Sequence, residues 1–290
     1  VLGGGGVLGS AEVGMLKALL ARGILPDLVV GSSVGALNGA FLAGAPEWAT
    51  VTRMAEVWTT LSDRGVFGGS VVGQLRTLAR HGTHLHDNTR LRRLIDEQLP
   101  AARIEDLPVR FECVAASIEK AAAHYFSSGP LADAVLASCA VPGLLPPVCI
   151  DGEHFLDGGL VRSVPVGRAV ELGAARVFVL HVGRLEQRLV APRRPWEVAQ
   201  VAFEISRRHS FEEEMARLPT GVDVHVLPTG SPPPGIGVRY RSTAQVAARI
   251  QAAQEATATY LDRLAPRAGD ATGSEHGGRV SDAGPFPPQG

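Results

Sequence analysis

Three things are scarce in this chain of 290 residues: cysteine, surplus charge of either sign, and long apolar runs. Only three cysteines occur, Cys113, Cys139 and Cys149. The number is odd and the spacing is not that of a metal site, which argues against a disulfide framework and for a reducing compartment. Lys and Arg number 28 against 29 Asp and Glu, a formal net charge of −1. A protein held on nucleic acid by phosphate contacts would be clearly basic, so no nucleic-acid partner is expected. No polybasic patch is present to hold an anionic lipid surface. The longest apolar stretch, residues 28–44, is broken by Gly, Ser and Asn and falls short of a membrane span. Internal repeats are absent as well. The expected setting is cytoplasmic, at most peripheral to a membrane. Strand-like residues already stand at Val1 and Leu2, so the numbered chain is expected to start a few residues inside the native protein.

What is present in ordinary measure, 45% hydrophobic and 20% charged residues, is enough to bury a sizeable core in one large domain or two modest ones. The end of a strand at residues 1–2 leads into glycine, then into a helix over 11–22 with Val13, Leu16, Leu19 and Leu20 at helical spacing. Gly23 closes that helix and Pro26 lies just beyond it. A buried strand follows at 28–30, then a turn at Gly31-Ser32 and a helix over 36–43. This β-loop-α-β-turn-α order opens a parallel α/β sheet. Residues 47–100 read as amphipathic helix broken at Gly68-Gly69, 109–117 as a strand, and 132–140 as a helix stopped by Pro142. Asp151-Gly152 marks a hairpin within 148–156. The continuous apolar run at 176–182 suits a central parallel strand. A charged helix at 196–218, a strand at 222–227 and a last helix from about 242 to 264 complete the pattern. The glycine- and proline-rich remainder lacks apolar periodicity and is expected to be a disordered tail.

Glycine, by contrast, is abundant, and four stand in a row at Gly3, Gly4, Gly5 and Gly6. Ordered glycine costs backbone entropy, so such a run needs a reason. Gly4, Gly6 and Gly9 match a G-x-G-x-x-G dinucleotide fingerprint. That reading also wants an acid at the C-terminal end of the second strand. Asp27 stands at the wrong end, and GSSVG follows the strand instead. Gly31-Ser32-Ser33-Val34-Gly35 fits G-x-S-x-G between strand and helix, where a sharp turn pushes the serine out of the sheet and flanking glycines remove clashing Cβ atoms. The following helix aims its positive end at Ser33. The plain alternative is an N-cap, which Ser32 fits better than Ser33. A nucleophile needs a base. Asp157, leaving a strand before Gly158 and Gly159, is the candidate, against its plain reading as a turn or capping aspartate. Asp151 is explained by its hairpin.

Three blocks share one further feature: GGGGVLGSAEVGMLKALLARGILPDLVVGSSVGALNGAFLAG, ASCAVPGLLPPVCIDGEHFLDGGLVRSVPVGRAVELGA and RVFVLHV. Together they resemble the patatin-like phospholipases, including bacterial relatives of neuropathy target esterase, over about residues 1–183. The resemblance implies a three-layer α/β/α fold with a mainly parallel central sheet, and a patatin-like catalytic domain over 1–266 followed by the tail at 267–290. It implies Ser33 as nucleophile and Asp157 as its partner without a catalytic histidine. It implies an oxyanion hole at Gly4, Gly5 and Gly6, with Gly31 and Gly35 forming the elbow and Gly9, Gly158 and Gly159 in support. The family usually carries Arg or Lys just before the last loop glycine. Leu8 stands there in this chain and leaves the backbone donors intact.

A free aspartate near pKa 3.9 is a weak base for serine, so Asp157 is expected to be buried, where desolvation raises its pKa. His154 and His181 are the candidates for a Ser-His-Asp alternative, which the resemblance disfavours. His81, His84 and His86 have no matching acidic or cysteine partner and read as a polar helix end, and neither metal nor cofactor is expected. The substrate class is a lipid or acyl ester, with transient membrane-surface contact and no stated oligomer. A small-ester esterase, thioesterase or acyltransferase, or a non-catalytic lipid-binding regulator on the same fold, are the alternatives. Residues 60–100 and 231–240 are candidate cover for the acyl pocket.

Overall fold

In the computed structural model, which describes residues 1–63, 86–99, 101–182, 188–193, 195–230 and 243–264, the apolar run Leu28-Val29-Val30 forms β1 (Leu28–Ser32). Ahead of it, the tight 3-10 turn Gly6–Gly9 leads into α1 (Ser10–Leu20). Gly23 ends this segment at φ +68°, a conformation open to glycine at no steric cost. After β1 come α2 (Val34–Gly44), α3 (Trp48–Asp63) and α4 (Thr89–Gln98). The next group is β2 (Arg110–Ser117), β3 (Ala122–Phe126), α5 (Leu131–Ser138), β4 (Val148–Ile150) and β5 (Glu153–Asp157). Then follow α6 (Val166–Glu171), β6 (Arg176–Leu180), α7 (Pro195–Ala216), β7 (Asp223–Leu227) and α8 (Thr243–Leu264).

The sheet is mostly but not wholly parallel. β7 pairs with β6 in parallel, Leu2 bridges in parallel to both Leu180 and Gly31, and β1 runs parallel to β2. Antiparallel strands then join β2. β3 pairs over Cys113–Ser117 of β2 and so overlaps the stretches used by β1 and by β5. A strand has two edges, so β3 occupies one while β1 and β5 share the other. On that shared edge Ser32 lies opposite Val114 and Asp157 opposite Ala115. The C-terminal ends of β1 and β5 therefore meet head-on across two adjacent residues of β2.

Alternation along the central strands divides the core in two. Val29, Leu180 and Leu2 face a cluster with α1, α2, α3, α5 and α8. Val30, Val177 and Val179 face a smaller one with Val166 and Ala169 of α6 and Phe211 of α7. Helices thus cover both faces of the sheet, the α/β/α arrangement. β4 and β5 form the hairpin marked by Asp151-Gly152, with φ +51° and +81°, as a type I′ turn requires. The tail from 265 onward, residues 64–85 and 231–242 lie outside the described residues, and with them the tail itself, His81, His84 and much of the candidate cover.

Candidate active site

Just past the end of β1 the backbone takes a conformation that few residues adopt. Ser33 has φ +55° and ψ −127°, a strained geometry that persists only where the surroundings impose it. Those surroundings are close backbone contacts. A Cβ on Gly31 would meet the Gly35 carbonyl oxygen at 2.5 Å, and one on Gly35 would run into the Leu2 carbonyl. Only glycine lets α2 start this near the strand. The N–H of Ser33 donates to Ser138 Oγ at 2.8 Å, and that hydroxyl donates to the Val114 carbonyl at 2.7 Å. Ser138, on α5, thereby ties the elbow to β2. The Ser33 hydroxyl makes no capping bond to α2. It donates instead to Asp157 Oδ2 at 2.6 Å, within the range of a charge-assisted bond. Ser32 is not a cap either, since it is the last residue of β1.

Asp157 is fully buried, at 0% exposure, and Ser33 is nearly so at 5%. The two carboxylate oxygens have different partners. Oδ1 accepts the Gly159 N–H at 2.7 Å and caps the turn Gly158–Leu160, while Oδ2 takes the serine hydroxyl. Burial pushes the Asp157 carboxyl up to about 7, opposed by the bonds from Ser33 and Gly159 and by the nearby Arg207 guanidinium. A carboxylate with that value is matched to accepting a proton near neutral pH.

The glycine loop lies against this pair. A Cβ on Gly4 would stand 3.3 Å from Ser33 Cβ. The expected donors do not all survive the fold, however. The N–H of Gly4 is bonded to the Ser163 carbonyl at 2.9 Å, so it continues the sheet-like pairing of Gly3 with Leu180 and is not free for a ligand. Among the described residues no acceptor takes the N–H of Gly5 or Gly6, which are half-buried and exposed. The far end of the loop is fixed at Gly9, whose carbonyl accepts from Asn38 Nδ2 at 3.0 Å. Asn38 also binds Glu12 and Trp58 Nε1, and burial pushes the Glu12 carboxyl up to about 8.

The histidines stand elsewhere. His154 and Asp157 are three residues apart on one strand and face opposite sides of it. Its Nδ1 lies 2.7 Å from Glu119 at the surface. His181 stacks on Phe211 at 4.6 Å, and among the described residues neither ring nitrogen has a partner. Burial, then the Arg207 charge, pushes it down to about 3. Neither ring reaches Ser33 or Asp157, so His154→Ala and His181→Ala are expected to stay well short of the roughly 10²-fold loss that follows removal of a general base. Ester-hydrolysis kinetics on the folded variants measure this, and a loss of several orders from either would restore a histidine triad. Among the described residues no group of three His, Cys, Asp or Glu is placed to hold a metal, and no helix is long and apolar enough to cross a membrane. A cavity of about 770 Å³ opens beside Leu28, Leu16 and Phe178, at the opposite end of β1 from Ser33, and contains neither Ser33 nor Asp157.

Ser138 and Arg207 are contributions that residue patterns did not reveal. Each is a single polar side chain on a helix, and only packing brings Ser138 to the elbow and Arg207 to the glycine loop.

Comparison with known proteins adds an independent line. The chain is 34% identical over 189 residues to a patatin-like phospholipase domain-containing protein of Caenorhabditis elegans, covering 64% of this chain and 14% of that protein. It is 34% identical over 189 residues to the lysophospholipase nte1 of Aspergillus terreus, covering 64% and 12%. It is 33% identical over 185 residues to the neuropathy target esterase sws of Drosophila melanogaster, covering 63% and 13%. The chain therefore spans a small part of the length of these relatives. Among solved structures, VipD from Legionella pneumophila is similar at 16% identity and a TM-score of 0.44, over 90% of this chain and 66% of that one. The family model for patatin-like phospholipases matches residues 1–170, more than half of the sequence, and the chain belongs to that family.

Proposed function

We propose that this chain is a serine acyl hydrolase that cleaves carboxylic ester bonds of lipids. The observation that carries the reading is the 2.6 Å bond from the Ser33 hydroxyl, on a strained elbow, to a fully buried Asp157. In the proposed reaction Ser33 Oγ attacks the ester carbonyl while Asp157 Oδ2 accepts its proton. The tetrahedral oxyanion is held by the free N–H groups of Gly5 and Gly6, with the positive end of α2 nearby. Collapse expels the alcohol, which takes the proton from Asp157, and leaves an acyl-serine. Water then repeats the sequence with Asp157 again as base. No histidine takes part. The names of the family, patatin-like phospholipase, and of a relative, lysophospholipase, support a lipid ester as substrate.

A second reading, hydrolysis of small esters or thioesters, is favoured by one residue. Leu8 packs against the main core and gives the glycine loop no cation for a phosphate head group. The two readings separate by substrate. The full chain is assayed with p-nitrophenyl esters of graded acyl length and with lysophosphatidylcholine, alongside labelling by a fluorophosphonate. Labelling at Ser33 and turnover that rises with acyl length are the expected results. Turnover limited to the shortest esters selects the second reading. A folded protein that neither labels nor turns over any ester overturns both and leaves a binding role.

A further inference from the structure

The glycine loop GGGGVLG carries no charged side chain of its own, yet two guanidinium groups lie on its carbonyls. Arg207 of α7 donates from Nη1 to the Gly4 carbonyl at 3.4 Å, across 203 residues of sequence. Arg249 of α8 donates from Nη1 to the Val7 carbonyl at 3.0 Å and to Ser10 Oγ at 3.0 Å. Both arginines lie beyond residue 170, where the family match ends.

Arg207 is built into its place. It is 5% exposed, and a buried guanidinium is costly unless its donors are satisfied. Glu204 takes two of them, Nε at 2.8 Å and Nη2 at 2.7 Å, in a planar fork. That leaves Nη1 for Gly4. The helix is itself pinned over the site, because the Ser206 and Ser210 hydroxyls donate to the carbonyls of Leu160 and Val161, just after Asp157.

The carbonyl it holds matters for chemistry. In a trans peptide the C=O of Gly4 and the N–H of Gly5 point in opposite directions on one rigid plane. A cation on the oxygen fixes where that N–H points and draws charge from it, which strengthens it as a donor. Gly5 is one of the two loop residues whose N–H has no acceptor among the described residues.

We propose that Arg207 and Arg249 are positioning residues for the glycine loop: α7 and α8 grip it by the Gly4 and Val7 carbonyls and keep the Gly5 and Gly6 N–H groups aimed at the Ser33 reaction centre. This rests on the acyl-hydrolase reading of Ser33 and Asp157. It extends the functional unit past the family-matched segment to the two C-terminal helices.

The two arginines differ in a way that makes the test specific. The Arg207 charge acts on Asp157 as well as on the loop. The groups around that carboxyl are the Ser33 hydroxyl, the Arg207 guanidinium and the Cys139 thiol, which burial holds neutral by pushing it well up. Glu204 and His181 complete the set around Arg207. Removing Arg207 takes away the only cation in this group, so the acid limb of the rate profile moves to higher pH. Arg249 does not figure among the charges acting on Asp157, and its removal leaves that limb in place.

The test uses the full chain with Arg207→Met, Arg207→Lys and Arg249→Met, reading kcat, KM, the kcat–pH profile and circular dichroism. Arg207→Met is expected to lower kcat by about tenfold to a hundredfold, less than the roughly 10²–10³-fold loss on deleting an oxyanion donor outright. KM changes little and the acid limb shifts upward. Arg207→Lys restores the limb but only part of kcat, because an ammonium cannot fork Glu204 and reach Gly4 together. Arg249→Met lowers kcat with the limb unmoved. If Arg207→Met fails to fold, Arg207→Lys carries the test through its reduced kcat. Folded Arg207 variants with wild-type kcat and pH profile overturn the proposal while leaving the hydrolase reading intact. An inactive, unlabelled wild type overturns that reading and this inference with it.

Discussion

Ser33→Ala is expected to lower kcat by roughly 10⁴-fold or more, since removing a serine nucleophile costs about as much as removing the whole catalytic group it belongs to. Alanine keeps the Cβ, so the strained φ of +55° is imposed on the variant as on the wild type. The strain is therefore unchanged, Asp157 Oδ2 loses its buried bond from the serine hydroxyl, and a circular-dichroism spectrum matching the wild type separates loss of activity from unfolding. Ser33→Gly sharpens the point. Glycine adopts that backbone region without penalty, so this variant is expected to be equally inactive yet to melt at a higher temperature than Ser33→Ala. Fluorophosphonate labelling should vanish in both. Turnover above about 1% of wild type in a homogeneous sample, against the loss expected for a true nucleophile, would place the nucleophile elsewhere.

Asp157→Asn is the second large effect, with activity and stability moving in opposite directions. In the wild type Oδ1 accepts from Gly159 and Oδ2 from Ser33. Asparagine can keep the first bond by turning its carbonyl to Gly159, which aims its amide at the Ser33 hydroxyl. The serine then accepts a bond where it should lose a proton. A fall in kcat of about 10³-fold is expected, within the range for lost general-base catalysis.

The same carboxyl governs stability. Its ordinary value is 3.8 and the folded one is about 7. Between those values the folded state holds a proton that the unfolded state has released, so stability is fully present below the lower value and falls as pH rises toward the upper one. Asparagine never ionises and removes that loss. Thermal melts at pH 8 should place Asp157→Asn at or above the wild type, whereas near pH 4 the two should converge. Wild-type kcat should fall about tenfold per unit below pH 7 as the base becomes protonated. A wild-type profile flat down to pH 5 would remove Asp157 from the role of base.

Much of the candidate site could be read along the chain because its chemistry is local. Gly31, Ser33 and Gly35 fall within five residues, and a sharp strand-to-helix turn leaves that spacing as a signature whatever packs around it. Asp157 carried a weaker trace, an acid before two glycines, which a capping aspartate also leaves. In the structure one oxygen caps the turn and the other accepts the Ser33 hydroxyl. Helices and strands with clear periodicity, such as α1, β2, β6 and α8, lie within a few residues of where the pattern put them. β3 and α6 escaped notice. β3 opens on alanines with no strand preference and exists because β2 offers a free edge. α6 has six residues, too few to show a helical repeat.

The sequence by itself determined an α/β chain with a serine on a strand–helix elbow, an acid leaving a later strand and a loop stripped of side chains. The tertiary structure alone decided which loop N–H groups are free, because the Gly4 donor is consumed by the Ser163 carbonyl, 159 residues away in sequence. It decided how serine and aspartate meet, since β1 and β5 must share one edge of β2 for their ends to touch. It also supplied Ser138, Arg207 and Arg249, each of which reaches the site through a backbone N–H or carbonyl: that of Ser33, Gly4 and Val7 in turn. A side chain that binds backbone leaves no complementary residue to be seen in the sequence, and only the packing of the helices shows which peptide it reaches.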